Sequence, residues 1–502
     1  MATQAQQQQF DLVVIGGGPA GYVGAIRAAQ LGMTVACVER GQLGGVCNTW
    51  GCIPTKALLA QAEFYARLKH DAAGMGILAD NVRHDWSKVI ARSRGVAELG
   101  DKGVGSLFKK HKITHVQGHA RIIKPGSVEV HKVASGGGIS AWNLDADAKA
   151  AKSNDLQQTL STKHILIATG AVVRSLPGAE FDGQTIIGST EAMSLPQQPK
   201  SLLIVGAGAI GMEFAYFYNA FGTKVTVVEM LDRVLPVEDA DSSAAVEKAF
   251  RKQGITIHTG HKTTKVVKSS SGVEATVVSV KDDKKTQTIT AEKMLVAIGV
   301  RGRYDGLFGP SVKVETFKDH LKVDYRKPGA TYATSVKGIY AVGDVIGPPW
   351  LAHVASEEAI VCVERLAGHD AHDVSYDAFP GCTYCQPQVA SLGKTEQALQ
   401  AEGLKPGTDY TVGKFPFLAS GKARAAGHTD GFVKIIASKK HGEILGVHMV
   451  GDHVTELIAE LGLAVRAEAT TDEIIATMHA HPTLSEAIHE AALGTQGRMI
   501  HF

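Results

Sequence analysis

Apolar and polar positions in this chain alternate in blocks that twice spell the same unit. Phe10 to Ile15 is a short apolar run, followed by Gly16-Gly17-Gly18-Pro19-Ala20-Gly21. Tyr22 to Leu31 carries helical spacing, and Thr34 to Val38 is apolar again, ending at Glu39. The pattern returns with Leu202 to Val205, Gly206-Ala207-Gly208-Ala209-Ile210-Gly211, a helical stretch Met212 to Phe221, and Lys224 to Val228 ending at Glu229. A hydrophobic period that switches from strand to helix and back, around a glycine turn, predicts two dinucleotide-binding units.

Residues 113–168 alternate like a β-meander and close on Ile165-Leu166-Ile167-Ala168-Thr169-Gly170. Ser135 to Asp155, rich in Gly, Ala, Ser and Asp, interrupts the meander and reads as an exposed insertion. Strands near 256–296 end at Ala297-Ile298-Gly299, and Gly338 to Val342 runs into Gly343-Asp344. Beyond residue 373, strands over 387–393, 430–437 and 443–450 precede helices over 453–466, 471–477 and 484–492. The expected fold is α/β: two Rossmann-like domains, 1–185 and 186–302, a return segment 303–372 that completes the first, and a C-terminal α+β domain, 373–502.

Charge and composition narrow the function. Among 502 residues, 52 basic side chains face 50 acidic ones, and no long basic run occurs, which argues against nucleic acid or an anionic membrane as the main partner. No apolar stretch of about 18 residues is present, so no spanning helix is expected. Met1 to Gln9 carries neither Lys nor Arg and no apolar core, unlike a secretory or transit peptide. Six cysteines are too few for a disulfide framework. A reducing compartment follows: the cytoplasm, or the mitochondrial matrix if a transit peptide has been removed.

The glycines carry chemistry. Gly16 permits a tight turn, Gly18 lets a diphosphate approach the backbone, and Gly21 lets helix pack on strand. The helix N-terminus adds roughly half a positive charge for the diphosphate. Glu39 stands where a carboxylate binds ribose hydroxyls, and Gly206, Gly208, Gly211 and Glu229 repeat the set. An acid at 229 accepts from a ribose 2′-OH and repels a 2′-phosphate, favouring NAD over NADP, although Arg233 lies close by.

The segment Gly44-Gly45-Val46-Cys47-Asn48-Thr49-Trp50-Gly51-Cys52-Ile53-Pro54-Thr55-Lys56 stands apart. Four residues separate the two cysteines, which can close a disulfide if the segment is a distorted first helical turn. A helix N-terminus and the nearby Lys56 would bring thiolate formation toward neutral pH. Zinc ligation and two spectator thiols are the rival readings. Zinc normally needs two close cysteine pairs or nearby histidines, and the segment holds neither.

This segment closely resembles the redox-active disulfide segment of the pyridine nucleotide–disulfide oxidoreductases, and the likeness spans essentially the whole chain. It includes both glycine units, Ala168-Thr169-Gly170, Ala297-Ile298-Gly299 and Gly343-Asp344. It is strongest with the branch that oxidises dihydrolipoyl groups for 2-oxo acid dehydrogenase and glycine cleavage complexes. The resemblance implies FAD in the first unit, NAD in the second, and a Cys47–Cys52 disulfide with Cys47 the accessible sulfur and Cys52 nearer the flavin. It assigns His481 as catalytic base and Glu486 as the acid that orients it, within His479-Ala480-His481-Pro482-Thr483-Leu484-Ser485-Glu486. Paired with a carboxylate, an imidazole takes one defined tautomer and accepts a thiol proton near neutrality.

Further carry-overs assign Gly118 to the adenine, Asp344 to the ribitol, and Trp350-Leu351-Ala352-His353 to a segment along the flavin. Gly44, Gly45, Thr169 and Gly170 belong to the same cofactor site, Glu213 pairs with Lys56 beside the flavin, and Val266 and Gly299 contact NAD. No metal is implied. The family supplies the histidine from a partner subunit, so a homodimer with residues after 373 at its interface is implied. Lipoyl-bearing and core acyltransferase subunits are the implied partners.

Glutathione-reductase-like and mercuric-reductase-like activities are the sister alternatives. Met230-Leu231 after Glu229 and the lack of any cysteine after Cys385 argue against them. A non-catalytic flavin-binding scaffold has no need of Cys47, Cys52, His481 and Glu486 together. Cys382 and Cys385 read as buried free thiols, and Cys37 and Cys362 as core. Gln388 stands where the family usually has an acid, and Trp350 is bulkier than usual.

Overall fold

The computed structural model describes residues 9–133 and 155–502. The expected insertion therefore lies, but for Asp155, outside the described residues. Strand β1 (Gln9–Ile15) buries Leu12, Val13 and Val14 completely, because parallel neighbours flank it and helices cover both faces. Helix α1 (Pro19–Gln30) starts with Pro19 in the first turn, where its missing N–H costs nothing. Its small residues let the helix Ala352–Leu366 approach closely; a Cβ on Gly24 would lie 3.2 Å from the Ala359 methyl. Strand β2 (Val35–Glu39) completes the first unit.

The first sheet has seven strands. Strand β3 (Thr114–Gln117) pairs parallel with β2, so the start of the expected meander belongs to the Rossmann sheet. Only β4 (His119–Lys124), β5 (Ser127–His131) and β6 (Leu156–Ile167) form an antiparallel meander. The twelve residues of β6 join the two parts of this sheet: Leu160 faces Val128 in the meander, while Leu166 lies beside Val14 in the parallel part. The return strand Ile339–Ala341 pairs with the same end of β6.

The second unit has a five-stranded parallel sheet in the order Thr256–His258, Lys224–Val228, Ser201–Val205, Lys293–Val296, Ile186–Ile187. Three antiparallel strands over 261–291 pack beside it. The C-terminal sheet is antiparallel, in the order Gly381–Thr383, Gln388–Gly393, Ile444–Gly451, Phe432–Ser438, Tyr410–Pro416. Its edge strand Tyr410–Pro416 escaped the sequence reading because Gly413 and Pro416 weaken the strand pattern. The structure explains the glycine: a Cβ there would sit 1.9 Å from the Ala491 carbonyl of the helix Glu486–Thr495.

One core ties these pieces together. Leu58 and Leu59 of α3 (Cys52–Ala66) pack with Trp86, with Met212, Phe214 and Tyr218 of the helix Ala209–Ala220, and with Cys385 and Val389. Beside it, Lys434 is 2 % exposed and bonds Asp239 (2.9 Å), Asp241 (3.0 Å) and Glu396 (2.8 Å). This cluster pins the second unit to the C-terminal sheet. No helix among the described residues is long and apolar enough to cross a membrane.

Removing one member of a buried ion cluster leaves charges uncompensated. Lys434→Met is expected to cost about 3 kcal/mol of stability, less than a fully buried pair because Asp241 and Glu396 reach solvent. Calorimetry checks this; an unchanged melting profile would contradict it.

Candidate active site

The cysteine segment is positioned by glycine. Gly44 and Gly45 adopt φ of 96° and 58°, in the left-handed region. A Cβ on Gly45 would lie 2.6 Å from Gly18 Cα, so the segment and the first glycine loop touch backbone to backbone. Cys47 lies in a short helix α2 (Gly45–Trp50), and Cys52 is the first residue of α3. The distorted single turn expected from the sequence is therefore two helices broken at Gly51, whose φ of −153° and ψ of −113° end the first and start the second. The break brings the two thiols within hydrogen-bonding reach of each other.

Their electrostatics differ. The hydrogen bond from Cys47 holds the Cys52 thiol below its ordinary range, with Lys56 assisting, against the effects of burial and Glu213. Cys47, as the donor of that bond and itself partly buried, is pushed up. Lys56 lies one helical turn after Cys52, on the same face. Its Nζ bonds both carboxylate oxygens of buried Glu213 at 2.9 Å. Tyr384 closes this group: its backbone N–H donates to Glu213 Oε1 (3.0 Å), and its ring centre lies 4.4 Å from Lys56 Nζ. Beneath the pair, Arg94 donates to the Thr49 carbonyl (2.8 Å) and stacks on the Trp50 ring.

The thiols open into a long cleft that also takes in Gly16, Gly18, Glu39, Gly45, Lys56, Gly118, Thr169, Gly170, Glu213 and Asp344. Gly16 has φ of 104°, and a Cβ there would strike the Ala168 carbonyl at 2.3 Å; a Cβ on Gly21 would strike the Gly16 carbonyl at 1.8 Å. Glu39 accepts from Gly17 N–H (2.6 Å) and Gly41 N–H (2.7 Å). The second unit repeats this. Gly206 and Gly211 are equally crowded, and Glu229 accepts from Ala207 N–H (2.7 Å) and Leu231 N–H (2.9 Å). Arg233 turns to Asp232 at 3.8 Å. Gly208 starts the helix Ala209–Ala220, and Gly299 has φ of 103° with open space around it. Val266 packs against the core of the second unit, outside the cleft.

These residues fit FAD in the first unit. The Gly18–Gly45 cradle leaves room for a diphosphate at a helix N-terminus, and Glu39 and Asp344 border the same cleft. Burial pushes the Asp344 carboxyl up to about 6. Behind it, Glu358 accepts from Gly343 N–H and Tyr376 OH, both at 2.7 Å, and burial raises its carboxyl to about 7. Trp350, Leu351 and Ala352 line the cleft, Trp350 stacked on His320. His353 does not: its ring bonds the Pro380 carbonyl (2.9 Å), because it sits at the start of a helix whose inward face is Leu351 and Ala355. Gly44 and Gly21 shape the loops from behind the lining.

His481 and Glu486 pair at 2.8 Å, and Glu486 also accepts from Thr483 N–H at 2.9 Å. Burial opposes ionisation of Glu486, but these hydrogen bonds hold it below its ordinary range. The His481 side chain is 81 % exposed and lies outside the cleft of its own chain. His479 is engaged by Glu460 at 2.8 Å. Cys385 is fully buried as expected, but Cys382 is not: it borders the cleft, because the short strand Gly381–Thr383 turns Thr383 inward and leaves its neighbour at the opening. Gln388 accepts from Thr455 Oγ1 (2.8 Å). Sequence reasoning missed Arg303 and His119, which line the cleft, and Tyr384 and Glu358, which hold Lys56, Glu213 and Gly343 from behind it. None follows a motif, and each takes its place only through tertiary contacts.

The chain matches the family described as pyridine nucleotide-disulphide oxidoreductase over residues 10–359, and that family's dimerisation domain over residues 379–492. A dihydrolipoyl dehydrogenase of Rhizobium etli is 44 % identical over 496 residues, covering 98 % of this chain and 99 % of that one. One from Bacillus subtilis is 41 % identical over 494 residues (98 % and 99 %), and a mitochondrial one from Pisum sativum 39 % over 493 residues (98 % and 92 %). Among solved structures, LpdA from Mycobacterium tuberculosis superimposes with a TM-score of 0.83 at 25 % identity, covering 96 % of this chain and 98 % of that one.

Asp344 is raised in the folded state, so keeping it ionised costs stability. That cost grows as pH rises from the ordinary carboxyl range through about 6. Flavin-free Asp344→Asn is therefore expected to be more stable than the parent at neutral pH, with the difference vanishing below about pH 4. Urea midpoints at several pH values check this.

Proposed function

Because this chain belongs to the pyridine nucleotide-disulphide oxidoreductase family, we propose that it oxidises dihydrolipoyl groups and reduces NAD, with Cys47 and Cys52 as the working dithiol. The observation that carries this reading is the thiol pair at the N-terminus of α3, with Lys56 one turn behind. The name shared by full-length relatives at 39–44 % identity supports the choice of substrate.

The chemistry starts from the Cys47–Cys52 disulfide. The partner subunit's His481 takes a proton from one substrate thiol, and the thiolate attacks Cys47 Sγ. The Cys47–Cys52 bond breaks, a substrate–Cys47 bond forms, and Cys52 leaves as a thiolate. Exchange is fastest when the leaving thiol has a low pKa. Lys56, one turn after Cys52, and the end of α3 favour that thiolate at Cys52. The second substrate thiol then attacks the substrate sulfur bound to Cys47, closing a cyclic disulfide and releasing Cys47. FAD held in the first unit would supply the two-electron chemistry that connects this dithiol to NAD. The chain supplies placement: Glu39 and Asp344 for the flavin nucleotide, Glu213 to hold Lys56, and Glu229 for the NAD ribose.

Glu486 gives His481 a fixed tautomer, and the exposure of His481 suits delivery into a partner's cleft. The match to a dimerisation domain supports a homodimer. The electron donors are lipoyl groups carried by other subunits of 2-oxo acid dehydrogenase or glycine cleavage complexes, including their acyltransferase cores. A reducing compartment such as the cytoplasm keeps the remaining thiols free.

Cys47→Ser is expected to retain FAD while losing NAD-dependent dihydrolipoamide oxidation; full turnover in that variant would remove the proposed nucleophile. The parent should oxidise dihydrolipoamide with NAD far faster than it reduces glutathione disulfide with NADPH, measured by nicotinamide absorbance, and the reverse order would overturn the substrate. Mixing Cys47→Ser with His481→Ala chains is expected to restore about a quarter of parental activity, because half the dimers are mixed and each holds one intact site. Zero recovery from a verified mixed dimer would place the base within one chain.

A further inference from the structure

Lys56 is a cation bearing on the redox pair, and a side chain of the C-terminal domain touches it directly. Its ammonium has three hydrogens. Glu213 takes two of the available contacts, at 2.9 Å each, and the Tyr384 ring covers another side with its centre at 4.4 Å. That separation is within the range in which a cation is drawn to an aromatic face. Tyr384 also holds the carboxylate, through its backbone N–H at 3.0 Å from Glu213 Oε1. One residue therefore grips both halves of the ion pair.

The chain connectivity gives this contact its meaning. Lys56 lies on α3, Glu213 on the helix Ala209–Ala220, and Tyr384 between the strands Gly381–Thr383 and Gln388–Gly393. These are three separate parts of the molecule, and the third lies in the region that matches a dimerisation domain. We infer that Tyr384 is a positioning residue, whose ring fixes the Lys56 ammonium toward Cys52 and so makes thiolate formation in the redox pair depend on the docking of the C-terminal domain. The inference rests on the reading of Cys47 and Cys52 as the working dithiol.

The other groups around the pair do not replace this contact. Cys47 faces Cys52 from α2, Glu213 from the helix Ala209–Ala220, and Asp344 reaches Cys47 from the turn after Ile339–Ala341. All are neutral or acidic, so Lys56 is the cation among them. On the connector itself, Cys382 and Cys385 lie near Lys56, and burial pushes the Cys382 thiol up to about 11, so neither adds charge at neutral pH. The Tyr384 hydroxyl hydrogen-bonds Cys382, an interaction separable from that of the ring. Without the ring, Lys56 gains water and side-chain freedom, and its field at Cys52 weakens.

The test uses full-length, FAD-loaded protein, reduced and freed of reductant under argon. It is alkylated with iodoacetamide from about pH 5 to about pH 9, and the Cys47–Cys52 peptide is read by mass spectrometry. Tyr384→Leu and Tyr384→Met, both lacking an aromatic face, are expected to raise the midpoint of the alkylation profile by about half a pH unit. Tyr384→Phe, which keeps the ring and loses the hydroxyl, is expected to hold the parental midpoint. Two apolar replacements guard against one failing to fold, and retained FAD absorbance shows which have folded. A parental midpoint in Leu and Met, or an equal shift in Phe, overturns the inference alone. A parent with no titrating thiol in this range overturns the dithiol reading and the inference with it.

Discussion

A thiolate beside a cofactor cleft is favoured by positive potential, and one helix end supplies it. Cys52 is the first residue of α3, and Lys56 follows one turn later on the same face. The helix end and the ammonium therefore act on one sulfur without any flexible loop between them. The remaining features keep that helix end in place. Gly45 lets the segment press against Gly18, Gly51 breaks α2 from α3, and Leu58 and Leu59 anchor the far side of α3 in a core shared by all three units. Loosening any of these would move the cation away from the sulfur and weaken the pair as an exchange partner.

Most of this was legible from the chain alone, because its local signals are strong. Both strand–glycine–helix–strand units lie where the hydrophobic period places them, and the fold class holds. Strand boundaries moved by a residue or two, as cap-free ends do. What the sequence hid is non-local. Tyr384 reaches Lys56 across more than three hundred residues, and no spacing rule links them. Glu358 supports Gly343 from inside a helix whose pattern marks it only as a charged position. Strand β3 reads as a meander strand because alternation does not reveal whether the neighbour runs parallel. Tyr410–Pro416 was hidden by the glycine that admits the helix Glu486–Thr495.

The two nucleotide units show how duplication constrains chemistry. In each, the terminal acid accepts from an N–H of the glycine loop and from the N–H two residues downstream: Gly17 and Gly41 for Glu39, Ala207 and Leu231 for Glu229. Four distances between 2.6 and 2.9 Å describe one solution used twice. The units differ in what surrounds them. The first opens onto the thiols and Asp344, while the second faces outward with Gly299 unobstructed.

If the second unit holds NAD as proposed, the doubly held carboxylate of Glu229 makes coenzyme choice a property of a single position. The acid cannot swing aside, so a phosphorylated ribose meets a fixed negative charge. Taking the acid away does more than lift that repulsion. It leaves two main-chain donors, on Ala207 and Leu231, converging on the vacated spot, and such a nest attracts phosphate oxygens by itself. In that reading, the loop that turns away a phosphorylated coenzyme already holds half of what a receptor for it requires, masked by one side chain.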